Sequence, residues 1–196
     1  MYAGKLSTDP STKSRYLLPV DGTTLIEKAA GITYLPVEHE GNAQDSDEEV
    51  AVIQDAVQSL LGRSITRKNG SIETIGIDDM LFVAPYNAQV AKLKQALDKR
   101  ARVGSVDKFQ GQESPIVFLS LCASDATTSP RGLGFLFNRN RLNVAVSRAE
   151  TLFVLVGHPR LAATPVATLA DLKRVNFVAA LVEAGRASDA VGLSPS

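Results

Sequence analysis

Two stretches of the chain, Ile116 to Leu121 and Leu152 to Val156, are apolar at nearly every position. A strand of that kind has no polar face to turn to water. It needs cover on both sides, which a parallel sheet with helices above and below supplies. Shorter apolar, strand-like runs at Ile32 to Val37, Met80 to Ala84 and Val103 to Val106 extend the same pattern. Helical spacing alternates with them. Ser46 precedes Asp47, Glu48 and Glu49, an N-cap followed by acids in the first turn, and Val50, Ile53, Val57, Leu60 and Leu61 follow before Gly62. Gln89 to Leu97 carries Val90, Leu93 and Leu97 on one face, Leu142 to Ala149 is helix-compatible, and a last helix is expected over Leu169 to Glu183. Strands alternating with helices predict βαβ units and an α/β three-layer sandwich with a mainly parallel sheet.

Residues 63–79 read as a polar connection and 123–134 as a Ser/Thr/Pro/Gly loop. The expected organisation is an irregular lead-in over 1–30 continuing from a missing preceding domain, one domain over 31–185, and a flexible tail over 186–196. Asp21-Gly22 is an expected turn within the lead-in.

Lys and Arg number 21, as do Asp and Glu, so the net charge is zero and no global charge argument points to nucleic acid or an anionic membrane. The balance hides an asymmetry. Residues 36–60 hold seven acids and no Lys or Arg, whereas 101–160 hold seven Lys or Arg against four acids. Cys122 is the only cysteine, which excludes an intrachain disulfide and a Cys-based zinc site and fits a reducing, cytoplasmic setting. Apolar runs are far shorter than the roughly 18 residues of a membrane span, and no signal peptide is visible. His39 and His158 lack metal-ligand spacing and are expected at the surface or in loops, as are Glu27 and Lys28.

Three stretches concentrate chemistry-bearing residues. Val103 to Glu113 runs from a buried strand through Ser105, Asp107, Lys108 and Gln110 to Gly111 and Glu113. Polar groups at the carboxyl end of a parallel strand face the ligand-binding edge of the sheet. Gly111 lets backbone approach a phosphate, Glu113 suits a ribose hydroxyl, and Ser105 and Gln110 suit phosphate oxygens; a polar loop with Glu113 pairing locally accounts for the same residues. Arg139 to Ala149 carries Arg141 and Arg148 seven residues apart, on one helix face, where two forks suit a polyphosphate; a solvated basic face is the alternative. Phe82 to Gln89 leads a strand through Pro85 to Tyr86, an aromatic able to stack on a base or to pack internally.

In this order the three stretches resemble motifs IV, V and VI of the second RecA-like domain of superfamily 1 helicases, in the branch of the nonsense-decay RNA helicase, and among them bacterial RecB-like nuclease–helicase fusion proteins. The resemblance covers roughly residues 31–185 and includes Gly41-Asn42, Ser46 to Glu49, Pro130-Arg131-Gly132 and Phe135-Leu136. It implies a RecA-like fold and an ATP- and Mg2+-dependent motor. Arg148 matches the arginine finger, Gly111 and Glu113 the nucleotide side of motif V, Tyr86 an adenine-stacking aromatic, and Ser105 a strand-contacting hydroxyl. Gln110 and Asn143 are taken with Ser105 on the nucleic-acid side, and Arg141 as a second nucleotide contact, because Asn87 and Val90 stand where relatives carry arginine. A Walker A loop is absent from the sequence: Gly4-Lys5 is followed by Leu6. The implied partners are a first RecA-like domain of the same protein and single-stranded DNA or RNA, with the fragment itself a monomer. A non-catalytic nucleic-acid-binding or partner-docking module that keeps only the fold is the rival expectation.

Overall fold

The computed structural model describes residues 14–20, 22–109 and 111–186. In chain order its elements are β1 (Gly31–Pro36), α1 (Asp47–Leu60), β2 (Ser64–Thr66), β3 (Ile72–Thr74), β4 (Met80–Val83), α2 (Asn87–Ala96), β5 (Arg102–Gly104), β6 (Ser114–Ser120), α3 (Leu133–Leu136), α4 (Arg139–Ser147), β7 (Ala149–Gly157) and α5 (Leu169–Arg186). Five strands form one sheet in the order β1-β7-β6-β4-β5, and every pairing in it is parallel. All five carboxyl ends therefore open at one edge of the sheet and all five amino ends at the other.

The near-continuous apolar strands are central, as their composition demands: β6 lies between β7 and β4, and β7 between β1 and β6. Side chains alternate between two cores. Ile116, Phe118, Leu152, Val154 and Val156 face α1 and α2, where Val50, Ile53, Val57, Leu60 and Leu93 meet them. Val117, Leu119, Phe153 and Leu155 face Leu136, Leu142, Ala145, Val175, Val178 and Leu181 of α3, α4 and α5. The result is the expected three-layer α/β arrangement of RecA type.

Two local expectations change. The polar connection 63–79 contains the antiparallel hairpin β2–β3, and Leu17 bridges to Ile65 on its edge. Lys28 is half-buried rather than an ordinary surface residue: its Nζ donates to the carbonyls of Ile32 and Ala184, each at 2.7 Å, tying the approach to β1 onto the end of α5. Leu17 and Ile26 are likewise buried in the core on the α1 side.

Candidate functional site

The loops at the carboxyl edge enclose a cleft of about 290 Å³. Pro85, Tyr86 and Asn87 line it from the β4–α2 junction, Ser105 and Asp107 from the segment after β5, and Arg131, Phe135 and Arg141 from the β6–β7 connection. The Phe135 ring is the centre of this group. The Arg131 guanidinium lies 3.8 Å from its centroid and that of Arg141 4.9 Å, and Arg141 Nη2 also donates to Asp107 Oδ2 at 3.1 Å. Tyr86 is buried; its ring tilts against Phe135 at 5.2 Å and its hydroxyl is hydrogen-bonded to Ser129. Tyr86 is also the N-cap of α2, and no side chain caps that helix start.

A buried polar network fixes the loops behind the cleft. Glu49, in the first turn of α1, has no exposed surface. Ser120 Oγ donates to its carboxylate at 2.6 Å, the Cys122 amide reaches both oxygens at 3.0 Å, and His39 Nε2 lies 3.1 Å away. Cys122 takes φ 53, a left-handed conformation rare outside glycine, which aims its amide at the acid. With Nε2–H donating to Glu49, His39 Nδ1 accepts from the Ser124 hydroxyl at 2.7 Å. Gln89 closes the network. Its Oε1 accepts from the Ser46 amide at 2.8 Å and its Nε2 donates to Ser120 Oγ at 2.9 Å. Burial and then the Glu49 charge push the Cys122 thiol well above its usual range, so it is an inert core group, as its place at a strand end predicted.

The histidines lie in loops, as expected, but not at the surface. Both are buried, with ring centroids 5.2 Å apart in an edge-on arrangement. Parallel pairing of Pro36 with Gly157 brings the residues just past β1 and β7 together, a proximity their separation in sequence conceals. Burial, then the neighbouring His39 and Arg160, lower the His158 pKa.

The amino edge is built differently. Gly111 and Glu113 are exposed just before β6, with Gly111 at φ +81, and Arg148 is half-buried just before β7. The Ser114 amide donates to the Arg148 carbonyl at 2.9 Å, so Glu113 and Arg148 approach the same rung of the sheet. The Arg148 side chain folds back on the end of α4, where Nε donates to the Val144 carbonyl at 3.3 Å and Nη2 to Ser147 Oγ at 3.2 Å. A cation there is favoured by the exposed carbonyls of the helix C-terminus.

Comparison with known proteins bears on this geometry. The model of the AAA_12 family, described as an AAA domain, matches residues 1–160. The chain belongs to that family. It is 34% identical over 131 residues to mov-10-B.2 of Danio rerio, which carries a helicase name, covering 59% of this chain and 13% of the relative. It is 32% identical over 112 residues to the Regulator of nonsense transcripts 1 homolog of Arabidopsis thaliana, covering 57% and 9%. It is 30% identical over 163 residues to the DNA-binding protein SMUBP-2 of Mus musculus, covering 76% and 15%. These similarities support a superfamily 1 helicase domain, and the chain spans about an eighth of the length of the first relatives it matches.

Within this AAA_12 domain the expected site residues divide between the two edges. Gly111, Glu113 and Arg148 share the amino edge. Tyr86 and Arg141 lie with Ser105 at the carboxyl edge, apart from the other residues expected on the nucleotide side. Arg141 and Arg148 stand toward opposite ends of α4, about 10 Å apart along its axis at 1.5 Å per residue. Asn143 is exposed on α4 and does not line the cleft. Gln110 lies outside the described residues. The sequence reading gives Asp107, Arg131 and Phe135 no site role; an arginine four residues before an aromatic in a glycine-containing loop is the available signal. Among the described residues no group of three His, Cys, Asp or Glu could hold a metal ion, and no helix is long and apolar enough to cross a membrane.

Proposed function

We propose that the chain is the second RecA-like motor domain of an ATP-dependent DNA or RNA helicase or translocase, acting in the cytoplasm against a first RecA-like domain of the same protein. Its kin on this reading include the RecB-like nuclease–helicase fusions. The observation that carries the reading is the segregation of two anion-directed surfaces on one sheet. Arg148 and Glu113 stand at one edge, and the arginine-lined cleft with Ser105 stands at the other.

At the amino edge the residues fit part of a nucleotide. The Arg148 guanidinium suits phosphate oxygens, and the Glu113 carboxylate, at an exposed loop beside Gly111, suits a ribose hydroxyl. They supply no magnesium ligand set, so the metal and the phosphate cradle come from the other domain. When bound, ATP supplies the phosphoryl transfer that drives the motor. Arg148 leaves its bonds to Val144 and Ser147 and places its charge on the transferring phosphoryl group as an arginine finger. At the carboxyl edge Ser105 and its neighbours hold the backbone of a single strand. Closure and opening of the two domains, coupled through the sheet, advance the strand. Tyr86, buried and bonded to Ser129, shapes the cleft rather than joining Arg148.

The test is the full-length protein with Arg148→Ala, measuring nucleic-acid-stimulated ATPase and nucleotide affinity side by side. A turnover loss with nucleotide affinity retained supports the reading. Unchanged turnover returns the chain to the class of non-catalytic binding modules.

A further inference from the structure

We infer that Arg131 and Arg141, joined across the Phe135 ring, form a seat for one backbone phosphate of the single strand, and that Asp107 occupies half of that seat until the phosphate displaces it. The inference rests on the proposed strand-binding role of the carboxyl edge and assigns residues and a regulating contact to it.

Two guanidiniums converge on one ring, at 3.8 and 4.9 Å from its centroid. Like charges gathered on one ring repel, and the negative π-face offsets only part of that repulsion. One carboxylate is present to neutralise them. Asp107 binds Arg141 at 3.1 Å, whereas Arg131 has no carboxylate partner among the described residues. The group therefore carries one uncompensated positive charge at the wall of an open cleft. A phosphodiester carries the single negative charge that balances it. Both arginines line the same cleft, each is a planar fork that suits phosphate oxygens, and the Ser105 hydroxyl on that cleft adds a neutral donor. Stacking on Phe135 orders both arginines before a ligand arrives, which lowers the entropy lost on binding.

Asp107 makes the seat conditional. Its side chain is 67% exposed and Arg141's is 35% exposed, so the pair is screened and weak. Such a contact yields to a phosphate that engages both arginines, yet it subtracts from the affinity of every strand. It also disfavours anions that reach Arg141 without reaching Arg131.

The experiment uses the full 196-residue chain and fluorescein-labelled oligo-dT and oligo-U, titrated by anisotropy from 25 to 300 mM KCl. Asp107→Asn is expected to tighten binding by about two- to fivefold. Arg131→Ala and Arg141→Ala are each expected to weaken it about tenfold and to flatten the log–log salt slope by at most about 0.7, the weight of the one phosphate they share. In the Arg141→Ala background, Asp107→Asn should lose its effect. Phe135→Leu, which keeps apolar bulk, should weaken binding with no change in salt slope. Asp107 and Arg131 are exposed and Arg141 and Phe135 half-exposed, and matching thermal melts establish that each variant folds. If the wild-type chain binds and Asp107→Asn leaves affinity unchanged or lower, or the arginine variants leave the slope unchanged, the seat is overturned while strand binding stands. If no variant binds either oligonucleotide at 25 mM KCl, both the seat and the strand-binding reading fail. If inorganic phosphate at equal ionic strength competes no better than chloride, the seat reads a phosphate only within a strand; strong competition by free phosphate instead overturns the assignment to strand backbone.

Discussion

The two edges of the sheet carry similar chemistry in opposite states of completion. At the carboxyl edge the cationic group lies against the Phe135 ring and is backed by a buried network in which Glu49 receives hydrogen bonds from Ser120 and Cys122 and pairs with His39. At the amino edge Gly111 and Glu113 are exposed, and Arg148 satisfies itself on the helix that carries it. One surface is organised by its own domain; the other, on the proposed reading, is half of a site. Preorganised donors lose little freedom on binding, whereas Arg148, proposed as a finger, must first leave its own helix. On the proposed reading, the difference teaches that one edge is ready for a strand by itself and the other needs an opposing surface to act on a nucleotide.

The largest expected effect tests the incomplete edge. In the full-length protein Arg148→Ala should lower stimulated ATPase by about 10³–10⁵-fold with nucleotide affinity nearly kept. Arg148→Lys should restore little of it, since an ammonium lacks the planar fork. A loss below tenfold, or one that tracks nucleotide affinity, breaks the division of labour between the edges.

Next in size is the support of the complete edge. Glu49→Ala leaves Ser120 and the Cys122 amide buried without their acceptor and should cost about 3–5 kcal/mol in urea unfolding. A cost under 1 kcal/mol would mean that the network adjusts freely and the cleft is not held by it. Smaller again, Ser105→Ala removes one neutral hydrogen bond, about 0.5–1.5 kcal/mol. It should weaken oligonucleotide binding a fewfold without touching nucleotide affinity; an equal effect on both would blur the two edges.

The smallest is a pH effect. His158 has a lowered pKa in the fold, so the unfolded chain takes up the proton first, at its ordinary value near 6.5. The contribution to stability is complete above that value and is lost as pH falls through it towards the folded pKa. Urea midpoints measured from pH 7.5 to 5 should decline, and His158→Gln should flatten the decline. The carboxyls of Glu48, Asp125 and Asp171 are held below their usual values by hydrogen bonds, so their losses come at lower pH and separate from this one.

Much of the fold was legible because it is local. Ser46 caps α1 as its position before three acids predicted, accepting from the Glu49 amide at 3.1 Å. The apolar runs became β6 and β7 because no other placement hides both of their faces. What was hidden depends on distance along the chain. Glu49 reads as a solvated first-turn acid, yet Ser120 and Cys122, 71 and 73 residues away, make it the centre of the core polar network. The β2–β3 strands are three residues each, too short for periodicity to register. Helix α4 starts at Arg139, before the expected Leu142, because Asn138 accepts from the Arg141 amide at 3.2 Å and caps it. The division of Arg141 from Arg148 followed from the direction in which that helix runs across the sheet, which residue spacing alone does not reveal.

Two short segments cross the sheet between its edges, 105–113 after β5 and 139–148 through α4, and Asp107 and Arg141 fasten them together. Strand β6, which they flank, is seven residues long, about 20 Å at the rise of a parallel strand. Nine extended residues reach at most about 30 Å, and 106–109 are wound into a 3-10 turn, so the first segment has little slack. Among descendants of this chain, insertions and deletions should therefore collect in 67–71 and 123–130 and be rare in 105–113 and 139–148. The lengths of those two crossings, more than the identity of any residue on them, are the inherited trait that keeps the two edges in step.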